Sequence, residues 1–373
     1  MPQTFDVVFR GGGIKGVGFV GALATLTEAK HLTRRLIGTS AGAIFATAWA
    51  AGYSPKEMQE RISARADGKL IFASFLEAAY RPAEIPEILW KPLTTTADNT
   101  LRRISKLVPG VNAENGTTWG GKSLSLVLGG AVCDDTAFRT WMSDMLAEKK
   151  FDPTITLADF HRAINKVRPQ QLSLIAADIT DQRVLLLNER TSPKLPLIEA
   201  IRMSMGIPFV WKEVKWKTSW GAYLEQDIAG HQVVDGGLLS NFPIRYLLEP
   251  KHSAKDGELG PLEGENVKPV GFMLDGRKKM PDLPDLTEST FLVEHMPVVR
   301  LASQLLDTLM DTWDREALRQ YAPADKEKKL VCRIGTQGIG YLDFDPPQEH
   351  LNALVNSGRC AMREFLDFQA KNP

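Results

Sequence analysis

The segment from Asp6 to Gly52 constrains the fold more than any other part of the chain. Asp6-Val7-Val8-Phe9-Arg10 reads as a short buried strand, and Gly11 to Gly16 as a glycine-rich turn. Val17 to Ala29 follows with helical spacing, and Gly18 and Gly21 permit close backbone approach. Leu36-Ile37 is a second short strand. Ala43 to Ala51 is a small-residue helix stopped by Gly52, where a helix terminator belongs. The order strand, loop, helix, strand, turn, helix favours a mainly parallel sheet with helices on its faces, an α/β fold.

The 373 residues suffice for one large α/β domain or two small ones. With 43% hydrophobic and 24% charged residues, the balance is that of a globular protein. Lysine plus arginine equals aspartate plus glutamate at 45 each, so no basic excess points to nucleic acid. Three scattered cysteines, Cys133, Cys332 and Cys360, form no CxxC pair and fit a reduced, intracellular chain. The start, Met1 to Asp6, lacks the basic region and long apolar core of a signal peptide. No uncharged apolar run reaches the ~18 residues that span a bilayer. The expectation is a cytoplasmic protein, peripheral at membranes; secretion without a cleaved signal stays compatible with it.

Further along, residues of about 67–125 mix apolar pieces with proline, threonine and glycine. They read as irregular, a cap or membrane-facing region. Leu70, Ile71, Phe72, Phe75 and Leu76 offer an apolar cluster there, and Arg102, Arg103 and Lys106 offer cations for anionic headgroups. The alternative is that the apolar residues fill core. Asp134 to Lys149 returns to helical spacing, with Phe138, Trp141, Met142 and Met145 on one face. Leu172 to Ala177 and Arg183 to Leu187 are strand-like. Leu197 to Met205 is helical, and Val214 to Trp220 and Gln232 to Asp235 read as neighbouring strands. His252 to Lys268 reads as a solvated loop. Val270 to Leu274 is a strand, Glu288 to Gln320 contains a long helix, and a last helix runs from about Gln348 to Ala370. No repeat or linker divides the chain, so residues 1–373 read as a single catalytic domain.

Gly38-Thr39-Ser40-Ala41-Gly42 matches G-x-S-x-G, between an apolar strand and a helix. A serine at such a turn is held in a strained conformation with its oxygen presented, and Gly38 and Gly42 leave room for the turn. The following helix points its N-terminus, which favours negative charge, at the site. The bland alternative is a helix capped by Thr39 or Ser40.

Gly11-Gly12-Gly13-Ile14-Lys15-Gly16 also satisfies G-x-G-x-x-G, the dinucleotide fingerprint. That fingerprint wants a ribose-binding carboxylate at the end of the next strand, and the Ser40 turn stands there instead. The better reading is an oxyanion hole, in which glycines aim backbone N–H groups at one point. Lys15 would add positive charge beside it, or pair with a phospholipid headgroup.

An activated serine needs a base. None of the six histidines, His31, His161, His231, His252, His295 and His350, lies in a glycine-bounded turn. In Asp235-Gly236-Gly237 an apolar strand delivers a carboxylate at its end, and the glycines let the chain turn past a neighbour. Alone, this is an ordinary aspartate at a turn; beside the two upstream glycine motifs, it is a candidate base.

Gly11 to Gly16, Gly38 to Gly42 and Asp235 to Gly237 together resemble, in the same order, the motif set of patatin-like phospholipases. Ala200 to Pro208, Val234 to Pro243 and Leu174 to Asp178 have similar counterparts, as do Gly338-Ile339 and Asp343-Phe344-Asp345. The resemblance implies a three-layer α/β/α sandwich and a Ser-Asp dyad without histidine. It implies a lipid acyl hydrolase, a phospholipase A or lysophospholipase, acting on acyl-ester lipid at a membrane surface. Ser40 takes the nucleophile role, Asp235 the base role and Gly11 to Gly16 the oxyanion role. Acyl transfer through the same acyl-enzyme is an alternative, and a non-enzymatic lipid or nucleotide binder is a weaker one. No cofactor follows. No calcium-loop spacing, HExxH or cysteine cluster implies a metal. A protein activator is compatible with the resemblance and unidentified. With an ordinary aspartate pKa of about 3.9, the base would keep working well below the range of histidine, about 6.5.

Overall fold

A computed structural model describes residues 2–76, 81, 87–105, 131, 133–262, 266–281 and 283. It further describes residues 308, 310, 312, 314–316, 318–321, 324–340 and 345–372. Eight strands form one sheet: β1 (Thr4–Phe9), β2 (Leu32–Thr39), β3 (Gln171–Asp178), β4 (Arg183–Leu187), β5 (Val214–Lys215), β6 (Gln232–Asp235), β7 (Val267–Asp275) and β8 (Val331–Gly335). The order is β8-β7-β1-β2-β3-β6-β5, with β4 also paired to β3. The run from β8 to β3 is parallel, and β4, β5 and β6 pair antiparallel.

The main helices are α1 (Val17–Glu28), α2 (Ala41–Ala50), α3 (Glu87–Ser105), α4 (Thr136–Glu148), α5 (Leu197–Ser204), α6 (Gly237–Ser240) and α7 (Gln348–Lys371). Successive strand residues point to opposite faces, so each parallel strand must be apolar on both. Val7, Phe9, Leu36, Leu174 and Leu274 pack with α1 and α7 on one face. Val8, Ile37, Ile175, Leu186 and Met273 pack with Phe242, Ile244 and Tyr246 on the other. The result is a three-layer α/β/α sandwich. Where α1 meets α7, a Cβ on Gly21 would stand 1.8 Å from the Val355 carbonyl, so glycine is what lets the two helices touch.

Part of the region at about 67–125 departs from the sequence reading. It is not wholly irregular: Arg65–Ala66 and Lys69–Leu70 pair antiparallel, Ile71–Ser74 is a helical turn, and α3 runs on through Pro92. Phe72 and Phe75 are buried against Trp141, at ring centroid distances of 5.3 and 5.5 Å. Leu70 and Leu76 are buried and Ile71 is partly buried against the same core. These residues fill core rather than face lipid. Instead α3 exposes apolar side chains, with Ile88, Leu89 and Leu93 at 81%, 56% and 45%. Arg102 and Arg103 lie on α3, while Lys106 and the segment 106–125 lie outside the described residues.

His252 to Lys268 is also less open than expected. His252 is buried between Glu249 and Glu258, and Leu259 joins the core. The helix expected over Glu288 to Gln320 falls mostly outside the described residues, as do Asp343 and Phe344. Among the described residues no helix is long and apolar enough to cross a membrane.

Candidate active site

Strand β3 brings the two chemical groups together. Its Leu174–Asp178 edge is taken by β4. Strands β2 and β6 therefore share the opposite edge, β2 along Gln171–Ile175 and β6 along Ala176–Asp178. They run in opposite directions and meet end to end, Thr39 opposite Ile175 and Asp235 opposite Ala176. The residue after β2 is Ser40, so the Ser40 hydroxyl and the Asp235 carboxylate face each other across the junction.

Ser40 Oγ donates to Asp235 Oδ2 at 2.7 Å. Asp235 is fully buried, and its other oxygen accepts the Gly237 N–H at 2.7 Å. Burial pushes the Asp235 carboxyl up to about 7; the hydrogen bonds from Gly237 and Ser40 and the charge of Arg202 pull it back only partly. This corrects the expectation of an ordinary aspartate pKa. A chain sequence does not reveal how completely a carboxylate will be dehydrated.

Ser40 holds φ 54° and ψ −126°, a conformation in which a side-chain-bearing residue is strained by about 1–3 kcal/mol. Neighbours hold it there. Ser204 Oγ accepts the Ser40 N–H at 3.1 Å. The same stretch holds Asp235, because Gly206 O accepts the Asp235 N–H at 3.0 Å and Ser204 O accepts the Gly236 N–H at 3.3 Å. Gly38, Gly42 and Gly236 are each needed for close approach: a Cβ would meet Gly42 O, Phe9 O and Ile175 O within 2.4 Å. The helix-cap alternative fails on the same geometry. Thr39 Oγ1 bonds Ser240 O at 3.0 Å and Ser40 Oγ bonds Asp235, so neither hydroxyl caps α2.

The glycine loop lies directly beside Ser40. A Cβ on Gly11 would stand 3.0 Å from Ser40 Cβ and 2.1 Å from Asn241 Oδ1. Gly13 has φ 58°, open to glycine, and Gly13–Gly16 forms a helical turn leading into α1. The Gly11 N–H donates to Asn241 O at 3.1 Å, so that donor is already used. Ile14 and Gly16 are buried, and Lys15 is 8% exposed. A Cβ on Gly237 would lie 3.1 Å from Asp235 Oδ1, so this glycine leaves space for the carboxylate.

Among the described residues, no histidine contacts Ser40 or Asp235. His31 Nδ1 accepts the Gln3 N–H, His161 lies beside Asn165, and His350 is buried near Glu349. His231 sits 2.9 Å from Asp178, and His252 pairs with Glu258. His295 is outside the described residues. Asp178, Asp181 and His231 are ligand types close enough to share an ion, but Arg183 already sits against both carboxylates.

Three features were not singled out from sequence: Ser204, Asn241 as a partner of the loop, and Arg202. Arg202 is buried, pairs with Asp135 at 2.6 Å, and is the cation whose charge reaches Asp235. The segment Ala200 to Pro208 was noted only as a similar stretch; a serine that accepts from another residue's backbone leaves no spacing signal.

A family model described as patatin-like phospholipase matches residues 7–248, more than half of the chain. The uncharacterised protein YqhO of Bacillus subtilis (strain 168) is 28% identical over 270 residues, 70% of this chain and 74% of its own length. VipD from Legionella pneumophila aligns over 98% of this chain and 67% of its own, at 15% identity and a TM-score of 0.48. ExoU of Pseudomonas aeruginosa, solved with SpcU, aligns over 99% of this chain at 15% identity and a TM-score of 0.43. The alignment takes in 53% of the ExoU chain, so this protein spans about half its length. With the family model running from β1 past the Asp235 turn, the chain belongs to the patatin-like phospholipase family.

Proposed function

We propose that this protein is a serine lipid acyl hydrolase in which Ser40 is the nucleophile and Asp235 the only base. The observation that carries this reading is the 2.7 Å hydrogen bond from Ser40 Oγ to the buried Asp235 carboxylate. Asp235 Oδ2 takes the Ser40 proton as Oγ attacks the ester carbonyl carbon. The resulting oxyanion is held by backbone N–H groups of the glycine loop beyond Gly11, with Lys15 adding positive charge. The tetrahedral intermediate collapses, the C–O bond to the alcohol breaks, and Asp235 returns its proton to that oxygen. Water then attacks the Ser40 ester by the same steps and releases the fatty acid. A pKa near operating pH suits a group that must both accept and return a proton.

The substrate we assign is an acyl-ester lipid met at a bilayer surface. The exposed Ile88, Leu89 and Leu93 of α3 support that approach, because they offer apolar area to an interface. The experiment is lipid mass spectrometry after incubation with a mixed phospholipid extract. Wild type is expected to release fatty acids and lysophospholipids, and Ser40→Ala none. Equal release by Ser40→Ala would refute the reading.

A further inference from the structure

Arg202 stands behind the site as a buried cation. It lies on α5, two residues before Ser204, and is 2% exposed. A buried guanidinium needs acceptors for its N–H groups, and its surroundings supply them only in part. Nε donates to Asp135 Oδ2 at 2.6 Å, and Nη2 donates to the Lys212 carbonyl at 2.7 Å. Nη1 meets no acceptor among the described residues. It lies against Gly206, where a Cβ would stand 2.6 Å from it. Gly206 joins the cation to the site. Its carbonyl accepts the Asp235 N–H at 3.0 Å, and Ser204, two residues earlier, accepts the Ser40 N–H at 3.1 Å. The guanidinium therefore backs onto the short stretch that holds both groups.

The charged groups around Arg202 are Asp135, at the start of α4, Arg139 of α4 and Glu199 of α5. Arg139 pairs with Asp135 at 3.0 Å and with Glu199 at 2.9 Å. These three are half-buried and Arg202 is buried, so the network runs inward from the surface. At its inner end, the charge that acts on the Asp235 carboxylate among the described residues is that of Arg202; Ser40 and the Gly237 N–H supply its hydrogen bonds. Charges act strongly on one another where water is excluded. We propose that Arg202 is a positioning residue for the reaction: its fork fixes the Ser204–Gly206 stretch, its charge is the counter-ion behind Asp235, and Asp135 tempers that charge. This rests on the reading of Asp235 as the base. The competing account is a structural ion pair that only closes α5 onto α4.

The two accounts differ in the pH profile. Removing the cation disfavours a charged Asp235, whereas removing Asp135 leaves the cation less neutralised and favours it. Arg202→Gln and Asp135→Asn should therefore move the acid limb of kcat/KM in opposite directions. The test uses the full chain and the soluble ester p-nitrophenyl butyrate. Relative to its own plateau, kcat/KM at about pH 5.5 falls about threefold or more in Arg202→Gln and rises about threefold or more in Asp135→Asn. Arg202→Lys keeps the charge without the fork, so its limb stays within about twofold of wild type while kcat falls about tenfold. Limbs that stay at the wild-type position in both of the first two variants, or move the same way, overturn the proposal. Asp135 is half-buried, so Asp135→Asn decides by itself if Arg202→Gln does not fold. If wild type cleaves no ester, the Ser40 reading has failed instead. Carbon-13 NMR of the Asp235 carboxyl, assigned with Asp235→Asn, then reads the same opposite displacements without turnover, and identical titration in all proteins overturns the proposal.

Discussion

Ser204 accepts the backbone N–H of Ser40 at 3.1 Å, and its own carbonyl takes the N–H that follows Asp235. One buried serine at the end of α5 therefore fixes the spacing between Ser40 and Asp235. Ser204→Ala should fold, because only a hydroxyl is lost. It should lower kcat about tenfold with KM little changed, since one modest hydrogen bond holding a strained turn disappears. Steady-state kinetics on a soluble ester checks this. A wild-type kcat in Ser204→Ala would assign the hydroxyl to packing alone.

The position of Asp235 sets the pH dependence. Its folded pKa of about 7 lies above the ordinary 3.8 because of burial, and the working form of the base is the charged one. Activity should rise with pH and level off above neutrality, with kcat/KM at pH 5.5 roughly 3% of the plateau. An acid limb below pH 5 would contradict the burial account.

The same shift has a stability sign. A raised folded pKa means the protonated form is the comfortable one. That contribution is full below the unfolded pKa of about 4 and is lost as pH rises through 7. Asparagine has no charge to bury. Urea unfolding should therefore give Asp235→Asn an advantage over wild type that is roughly 2–4 kcal/mol larger at pH 8 than at pH 4. A pH-independent difference would show that Asp235 is solvated in solution.

The membrane contact proposed for α3 is separable from catalysis. Replacing Ile88, Leu89 and Leu93 with serine removes exposed apolar area at positions that belong to neither core cluster. Co-sedimentation with phospholipid vesicles should fall severalfold while turnover of a soluble ester is retained. Phe72→Ser or Phe75→Ser would be a poor test, since emptying those buried positions costs about 3–5 kcal/mol of stability. Unchanged vesicle binding by the triple serine variant would move the interface elsewhere.

How much of this could be read from the sequence follows a physical line. The β1–loop–α1–β2–turn–α2 opening was legible because buried parallel strands are continuous apolar runs and their turns demand glycine. The Ser40 and Asp235 turns were legible for the same reason. Phe72 and Phe75 were misjudged as lipid-facing, since a short apolar cluster looks the same whether Trp141 or a bilayer covers it. Asp235's titration and Ser204's contact with Ser40 were hidden, because both depend on β2 and β6 meeting end to end on one edge of β3. No local pattern records that junction.

The central claim is that Asp235 alone activates Ser40. Its most direct test is the rate at which a fluorophosphonate labels Ser40, followed by peptide mass spectrometry on wild type and Asp235→Asn at pH 8. The account predicts a label on Ser40 in wild type and a rate about a hundredfold or more lower in Asp235→Asn, since removing a positioned base costs about 10²–10⁴. Labelling of Asp235→Asn at the wild-type rate would contradict it, and would mean that another group takes the serine proton.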